Sequence, residues 1–148
     1  MWATTRRRIM ENFEFVNNIY HFSDNPRTIG AGYPIIRNIS IDNETLVIET
    51  NQGRLMVRDD GQDCCEHRYM TCEDRDIWPS LIDGHLISIE DKVALYQHDD
   101  TSEVHEITFI EFTTDRGIFQ ILNHNEHNGY YGGFRVNMIW VDRDVITF

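Results

Sequence analysis

Residues 44–50, Glu-Thr-Leu-Val-Ile-Glu-Thr, constrain the fold more than any other stretch of the chain. They are rich in β-branched side chains, and Leu46 and Ile48 fall on one face of an extended backbone. Asn51-Gln52-Gly53 supplies turn chemistry, and residues 54–58, Arg-Leu-Met-Val-Arg, run back along the first segment. Two such runs across a tight turn predict a β-hairpin.

The β signal continues to the end of the chain. Residues 85–96 place Ile87, Ile89, Val93 and Leu95 on one face, with Asp91 interrupting. Residues 104–114 carry Ile107 and Phe109, then Ile110 and Phe112, a change of phase that means a bulge or burial on both faces. Asp115-Arg116-Gly117 turns the chain and residues 118–123 return. Phe134, Val136, Met138 and Trp140 then alternate with Arg135 and Asn137, a half-buried strand. Residues 74–81 are the best helical stretch, with Asp76 as cap, Pro79 in an early turn and Gly84 as stop. Residues 13–22 are apolar with mixed periodicity and fit a short helix or a strand. The expected fold is α+β: mainly one antiparallel β-meander sheet with one short helix.

A chain of 148 residues suits one domain, here 1–148, with residues 1–12 as a loose tail. Met10 reads as a second start. The net charge of −12 disfavours non-specific nucleic-acid binding, which depends on Lys and Arg displacing counterions, and disfavours anionic membranes. No apolar run approaches the ~18 residues of a membrane span, and the basic start at Arg6, Arg7 and Arg8 has no signal-peptide apolar region after it. Three cysteines, two of them adjacent, make no disulfide framework. A reducing cytoplasm is the expected compartment.

Two segments concentrate chemistry-bearing residues: Asp63-Cys64-Cys65-Glu66-His67, and residues 123–134, Asn-His-Asn-Glu-His-Asn-Gly-Tyr-Tyr-Gly-Gly-Phe. Read as a metal site, Cys64, His67, His124 and His127 supply thiolate and imidazole ligands for zinc, but neither pair matches a strong structural zinc clamp. Read as an enzyme, His124, Glu126 and His127 centre a metal-dependent hydrolase. Asp63 and Glu66 beside the cysteines disfavour a thiolate nucleophile. Read as a binding face, Asn125, Asn128, Tyr130 and Tyr131 offer amides and phenols, while the glycines admit close backbone approach. The plainer alternative is structural: Asn128-Gly129 as a hairpin turn and Gly132-Gly133 as a bulge.

The same residues carry a resemblance. Asp63-Cys64-Cys65-Glu66, Asn128-Gly129-Tyr130-Tyr131-Gly132-Gly133, the Leu81-Ile82-Asp83-Gly84 stretch and the Arg116-Gly117 turn are similar to a family of small phage and prophage proteins, a domain of unknown function. The resemblance runs over about residues 39–140 and implies a setting rather than an activity. The leading expectation is therefore a non-enzymatic accessory protein of phage or mobile-element origin. Asp63, Cys64, Cys65, Glu66, Asn125, Asn128, Tyr130 and Tyr131 would bind a small polar, nucleotide-like ligand or a host protein, with no catalytic residue and no cofactor, zinc being the weaker alternative. A structural or assembly subunit is the third class, and edge strands make a homo-oligomer plausible.

Overall fold

The structure is a computed structural model, and it describes residues 11–13, 19–22, 32–42, 44–61, 65–92, 95–98, 104–129 and 133–143. In chain order the elements are β1 (Glu11–Phe13), β2 (Ile19–His21), β3 (Ile36–Ile41), β4 (Thr45–Thr50), β5 (Gly53–Asp59) and β6 (Glu66–Thr71). There follow α1 (Trp78–Leu81), β7 (Leu86–Asp91), β8 (Leu95–His98), β9 (Val104–Thr114), β10 (Gly117–His127) and β11 (Val136–Asp142).

The expected hairpin is β4 with β5, with Leu46 paired to Val57 and Ile48 to Leu55, all four fully buried. Its turn closes on the Thr50 hydroxyl, which accepts from the Gly53 amide at 3.1 Å and donates to the Gly53 carbonyl at 2.7 Å. Gly53 is needed for space as well as for the turn. A Cβ there would sit 2.5 Å from the Val141 carbonyl oxygen and 2.7 Å from the Trp140 ring.

The strands do not form one meander. They divide into two antiparallel sheets, a five-stranded one in the order β1-β11-β5-β4-β3 and a six-stranded one in the order β2-β7-β9-β10-β6, with β8 also on β9. Side chains from both sheets, among them Leu46, Leu55 and Trp140 on one side and Ile89, Phe112 and Phe119 on the other, join a single core cluster. The α+β expectation is thereby overturned: the fold is a mainly-β sandwich with one helical turn. The physical reason is cover. Each sheet has an apolar face, and the other sheet buries it, where the sequence reading had given that task to a helix.

The helix expected over residues 74–81 is only a 3-10 turn, Arg75–Ile77, running into the four-residue α1. Asp76 lies inside that turn and no side chain caps it. Asp74 instead accepts the Cys72 thiol at 3.0 Å. Burial and the neighbouring Asp74 carboxylate push the Cys72 thiol up to about 12, so it stays protonated. Trp78 and Leu81 of α1 are buried and seal one end of the core.

Three strand details refine the expectations. A register shift between Leu86 and Ser88 changes the face of β7, so Leu86 and Ile89 are fully buried whereas Ile87 is not. β9 pairs with β10 without a break and buries one face, through Thr108, Ile110, Phe112 and Thr114. Ile107 and Phe109 on the other face are only half-buried, so the change of phase marks neither a bulge in β9 against β10 nor full burial on both faces. β10 runs on to His127, four residues past the expected stop at Asn123. Of residues 13–22, Phe13 and Ile19–His21 lie in strands and Phe22 follows the second of them in a 3-10 conformation, while Glu11 and Asn12, assigned to the tail by sequence, pair with β11.

The sandwich ends differ. Backbone bonds lace the sheets together at one end: Ile36 donates to the Gly84 carbonyl at 2.8 Å, Asp83 to Ile36 at 2.8 Å and Leu86 to Pro34 at 2.8 Å. Asp59 and His127, at the far ends of β5 and β10, belong to the opposite end.

Candidate functional site

Along the inner face of β10 the residues run Phe119, Ile121, Asn123, Asn125, His127, all buried. Alternation carries the two apolar residues and the three polar ones onto one face. Their partners change character in step. Phe119 pairs with Phe112 and Ile121 with Ile110, but Asn125 lies between Glu106 and Arg68, and His127 pairs with Glu66. The core interior thus passes from apolar to ionic toward the far end of the strands.

Arg68 organises that end. Its Nη1 donates to both Asp59 oxygens, at 2.9 and 2.8 Å, and its Nη2 donates to Glu66 Oε2 at 2.8 Å. The three side chains are 5%, 3% and 1% exposed, so this is a buried ion triad. Burial works against the Arg68 charge, yet hydrogen bonds and attraction from Glu66 and Asp59 outweigh it and raise its pKa above the ordinary value. The carboxylates are satisfied further. Asp59 accepts from the Gly61 amide at 2.8 Å and from Asn123 Nδ2 at 3.0 Å, and Glu66 accepts from Asn125 Nδ2 at 2.8 Å. The guanidinium lies so close over Gly61 that a Cβ there would meet Nη1 at 2.7 Å.

Next to the triad, Glu106 Oε1 accepts from His127 Nε2 at 2.7 Å and from the Gly133 amide at 3.0 Å. His127 Nδ1 accepts from the Gly129 amide at 3.0 Å, which fixes the proton of a neutral ring on Nε2. These contacts tie the turn after β10 to the sheet.

Two polar atoms at this end have no partner among the described residues. They are Oδ1 of Asn123 and Oδ1 of Asn125, both in side chains with no exposure. Neither amide can be flipped to cure this, because each Nδ2 already faces a carboxylate. Asn123 lines a cavity of about 280 Å³ with Glu44, Thr45, Arg58, Asp59, Asp60, Arg68, Tyr69 and Met70. The cavity therefore opens between the β4–β5 end of one sheet and β6 of the other. Arg58 is paired with Asp60 at 2.9 Å, and Asp60 also takes Asn137 Nδ2.

The outer face of the same strands carries a row of rings. His67 stacks near Tyr69 at a centroid distance of 4.7 Å, Tyr69 on His124 at 4.4 Å, and His124 near His105 at 5.1 Å. His124 is held from both sides, by Thr71 Oγ1 at 2.8 Å and His105 Nε2 at 2.9 Å. Burial, and next the His105 charge, depress its pKa below 6.5. Burial and a hydrogen bond to Glu126 push the Tyr69 phenol up to about 12.

Of the residues singled out by sequence, Glu66 and Asn125 meet, hydrogen-bonded to each other inside the core. The two segments are thus neighbours, β6 beside β10, as Glu126↔His67 and His127↔Glu66. Cys65 and Asn128 are exposed on the flanking turns. Asp63, Cys64, Tyr130 and Tyr131 lie outside the described residues, as does Gly132 of the expected bulge. His124 and His127, three positions apart on one strand, face opposite sides of the sheet. Among the described residues no three His, Cys, Asp or Glu are grouped to hold a metal ion. Sequence reasoning missed Asp59, Arg68, Asn123 and Glu106 as members of a site. The signal available for Asn123 was its parity with Phe119 and Ile121.

No curated protein and no solved structure is significantly similar to the chain. The match to a family model begins at residue 27, before the point where the sequence resemblance was drawn, and stops at residue 136. Over residues 27–136 the sequence matches the domain of unknown function DUF7448, and the chain belongs to that family.

Proposed function

We propose that the protein is a non-enzymatic binding protein whose small polar ligand seats in the cavity between β6 and the β4–β5 end. The observation that carries this reading is the Asn123 carbonyl oxygen. It is buried and unpartnered among the described residues, in a side chain that borders the cavity. A buried acceptor without a donor costs about 1–3 kcal/mol. A ligand that supplies the donor recovers that cost, and this makes the site selective for a group that can donate. Arg68 and Asp59 are engaged with each other, so they shape the wall rather than offer a free acid or base. The described thiols, Cys65 and Cys72, do not line the cavity.

Support for the setting is of a different kind. A phage or mobile-element accessory role rests on the sequence resemblance. A cytoplasmic one rests on the cysteine usage, and no helix among the described residues is long and apolar enough to cross a membrane.

The test is a nitrogen-edited NMR titration of the side-chain amides with a library of small polar metabolites. A ligand of this site produces a saturable shift of the Asn123 amide pair. If no member of the library moves that pair, the cavity reading fails.

A further inference from the structure

Away from the cavity, we propose that Asn128 is a self-modifying site, converted to aspartate and isoaspartate with His127 as the general base. The reaction is cyclisation of an asparagine side chain onto the next peptide nitrogen. That nitrogen must be uncrowded, and its proton needs an acceptor. Asn128 is the one asparagine of the sequence that precedes glycine, so no side chain shields the attacking nitrogen. Asn128 and Gly129 are both exposed, which admits the water that completes the reaction.

The proton acceptor distinguishes this turn. The Gly129 N–H donates to His127 Nδ1 at 3.0 Å, within the reach required of a general base. By contrast, the amides of Gly53 and Gly84 donate to the Thr50 hydroxyl and the Leu81 carbonyl, which are far weaker bases. On its other side the His127 ring donates from Nε2 to Glu106 Oε1 at 2.7 Å. That bond keeps the proton of the neutral ring on Nε2 and the lone pair on Nδ1. The His127 and Glu106 side chains are 3% and 17% exposed, so little water competes for either. Carboxylate, imidazole and N–H thus form a line of the kind that activates a nucleophile, with a backbone nitrogen in the nucleophile's place.

The steps balance without a cofactor. As the Gly129 nitrogen attacks the side-chain carbonyl carbon of Asn128, its proton passes to His127 Nδ1 and a C–N bond closes the succinimide ring. The imidazolium returns that proton to the side-chain amide nitrogen, the original C–N bond breaks, and ammonia leaves. Water then opens the ring at either carbonyl, giving aspartate or isoaspartate. Both products add a negative charge at the end of β10, and isoaspartate also inserts a methylene into the main chain ahead of the Gly129 amide.

The experiment incubates the full chain at one pH and temperature, both native and unfolded in urea. Aspartate and isoaspartate at position 128 are followed by peptide mapping with mass spectrometry. The unfolded chain keeps the Asn-Gly sequence and loses the positioned base, so the native chain should react roughly tenfold faster or more. His127→Gln should bring the folded rate down to the unfolded one and leave the unfolded rate unchanged, with a thermal melt showing that the variant is folded. Glu106→Gln keeps an acceptor for the ring and for the Gly133 amide. It should slow the folded reaction about threefold, while the ring nitrogen NMR shifts of His127 still report the same tautomer. A native chain that reacts no faster than the unfolded one would overturn the proposal, and that comparison requires no variant to fold. A folded His127→Gln variant as fast as the native chain would overturn it too, by placing the acceleration in the backbone alone.

Discussion

The two ends of the sandwich solve the same problem with opposite chemistry. At the laced end, Leu81 and Leu86 are fully buried and the sheets are joined by backbone hydrogen bonds between residues 34–36 and 83–86. At the other end β5 and β6 bury Asp59, Glu66 and Arg68, and the Arg68–Asp59 ion pair joins the two sheets. The apolar end gains by leaving water, whereas charges taken out of water are expensive and only close pairing offsets the cost. Chemistry that could engage a ligand is therefore concentrated where the fold gains least from burial. The cavity and both unpartnered Asn carbonyls lie at that end.

The comparison breaks most sharply on Arg68. Arg68→Met should cost about 3–5 kcal/mol in chemical denaturation, because it strands two buried carboxylates. Replacing Asp59, Glu66 and Arg68 together with apolar residues should cost much less than the single change. A triple variant that is worse than Arg68→Met would mean the triad is held for more than charge balance.

Leu86→Ala at the laced end should cost about 2–5 kcal/mol through the cavity it leaves. No change of charge nearby should rescue it, in contrast to Arg68→Met.

The glycines give a finer contrast. Gly53→Ala and Gly61→Ala should each cost roughly 1–3 kcal/mol by overpacking. Gly53→Ala should be the larger in thermal melts, since its nearest obstacle is the Val141 backbone oxygen, while Gly61 presses on a side chain. Were the Arg68 guanidinium loosely held, Gly61→Ala would cost almost nothing; its two carboxylate partners argue that it cannot swing away.

The smallest effect is a pH dependence confined to the polar end. His124 has its pKa lowered in the folded state, so below 6.5 the unfolded chain binds the proton more readily. Stability contributed by the neutral ring is present above pH 6.5 and is lost as the pH falls toward the folded value. The charged or titratable groups around the ring are His105 from β9, Tyr69 and His67 from β6, and Glu126 from β10. His124→Gln should flatten melting temperature against pH between 7.5 and 5, while leaving Leu86→Ala its full cost. A slope unchanged by His124→Gln would place the titration elsewhere.

Much of the fold was legible because strand signals are local. Alternation at Leu46 and Ile48, the Asn51-Gln52-Gly53 turn and the Met138–Trp140 pattern all survive in β4, β5 and β11. The site was far less legible. Asn123-His124-Asn125-Glu126-His127 has the composition of a loop, and only hydrogen bonding to β6 and β9 on both sides makes it a strand. Arg68 gave no warning either, since an arginine in an isolated strand is expected at the surface. Its parity with Met70 pointed inward, but parity alone does not say which face will be covered.

From sequence alone came the mainly-β character, the first hairpin, the acidic charge and the attention drawn to the segments around Glu66 and Asn125. Tertiary structure alone decided that there are two sheets rather than one. It also decided that these segments are adjacent strands and that Glu66 and Asn125 point inward, hydrogen-bonded to each other in the core. The physical reason is one of range. Period-2 alternation is written between neighbouring residues, but which face is buried depends on strands far apart in the chain. Asp59 and Asn123 are 64 residues apart, and no local pattern predicts their 3.0 Å contact.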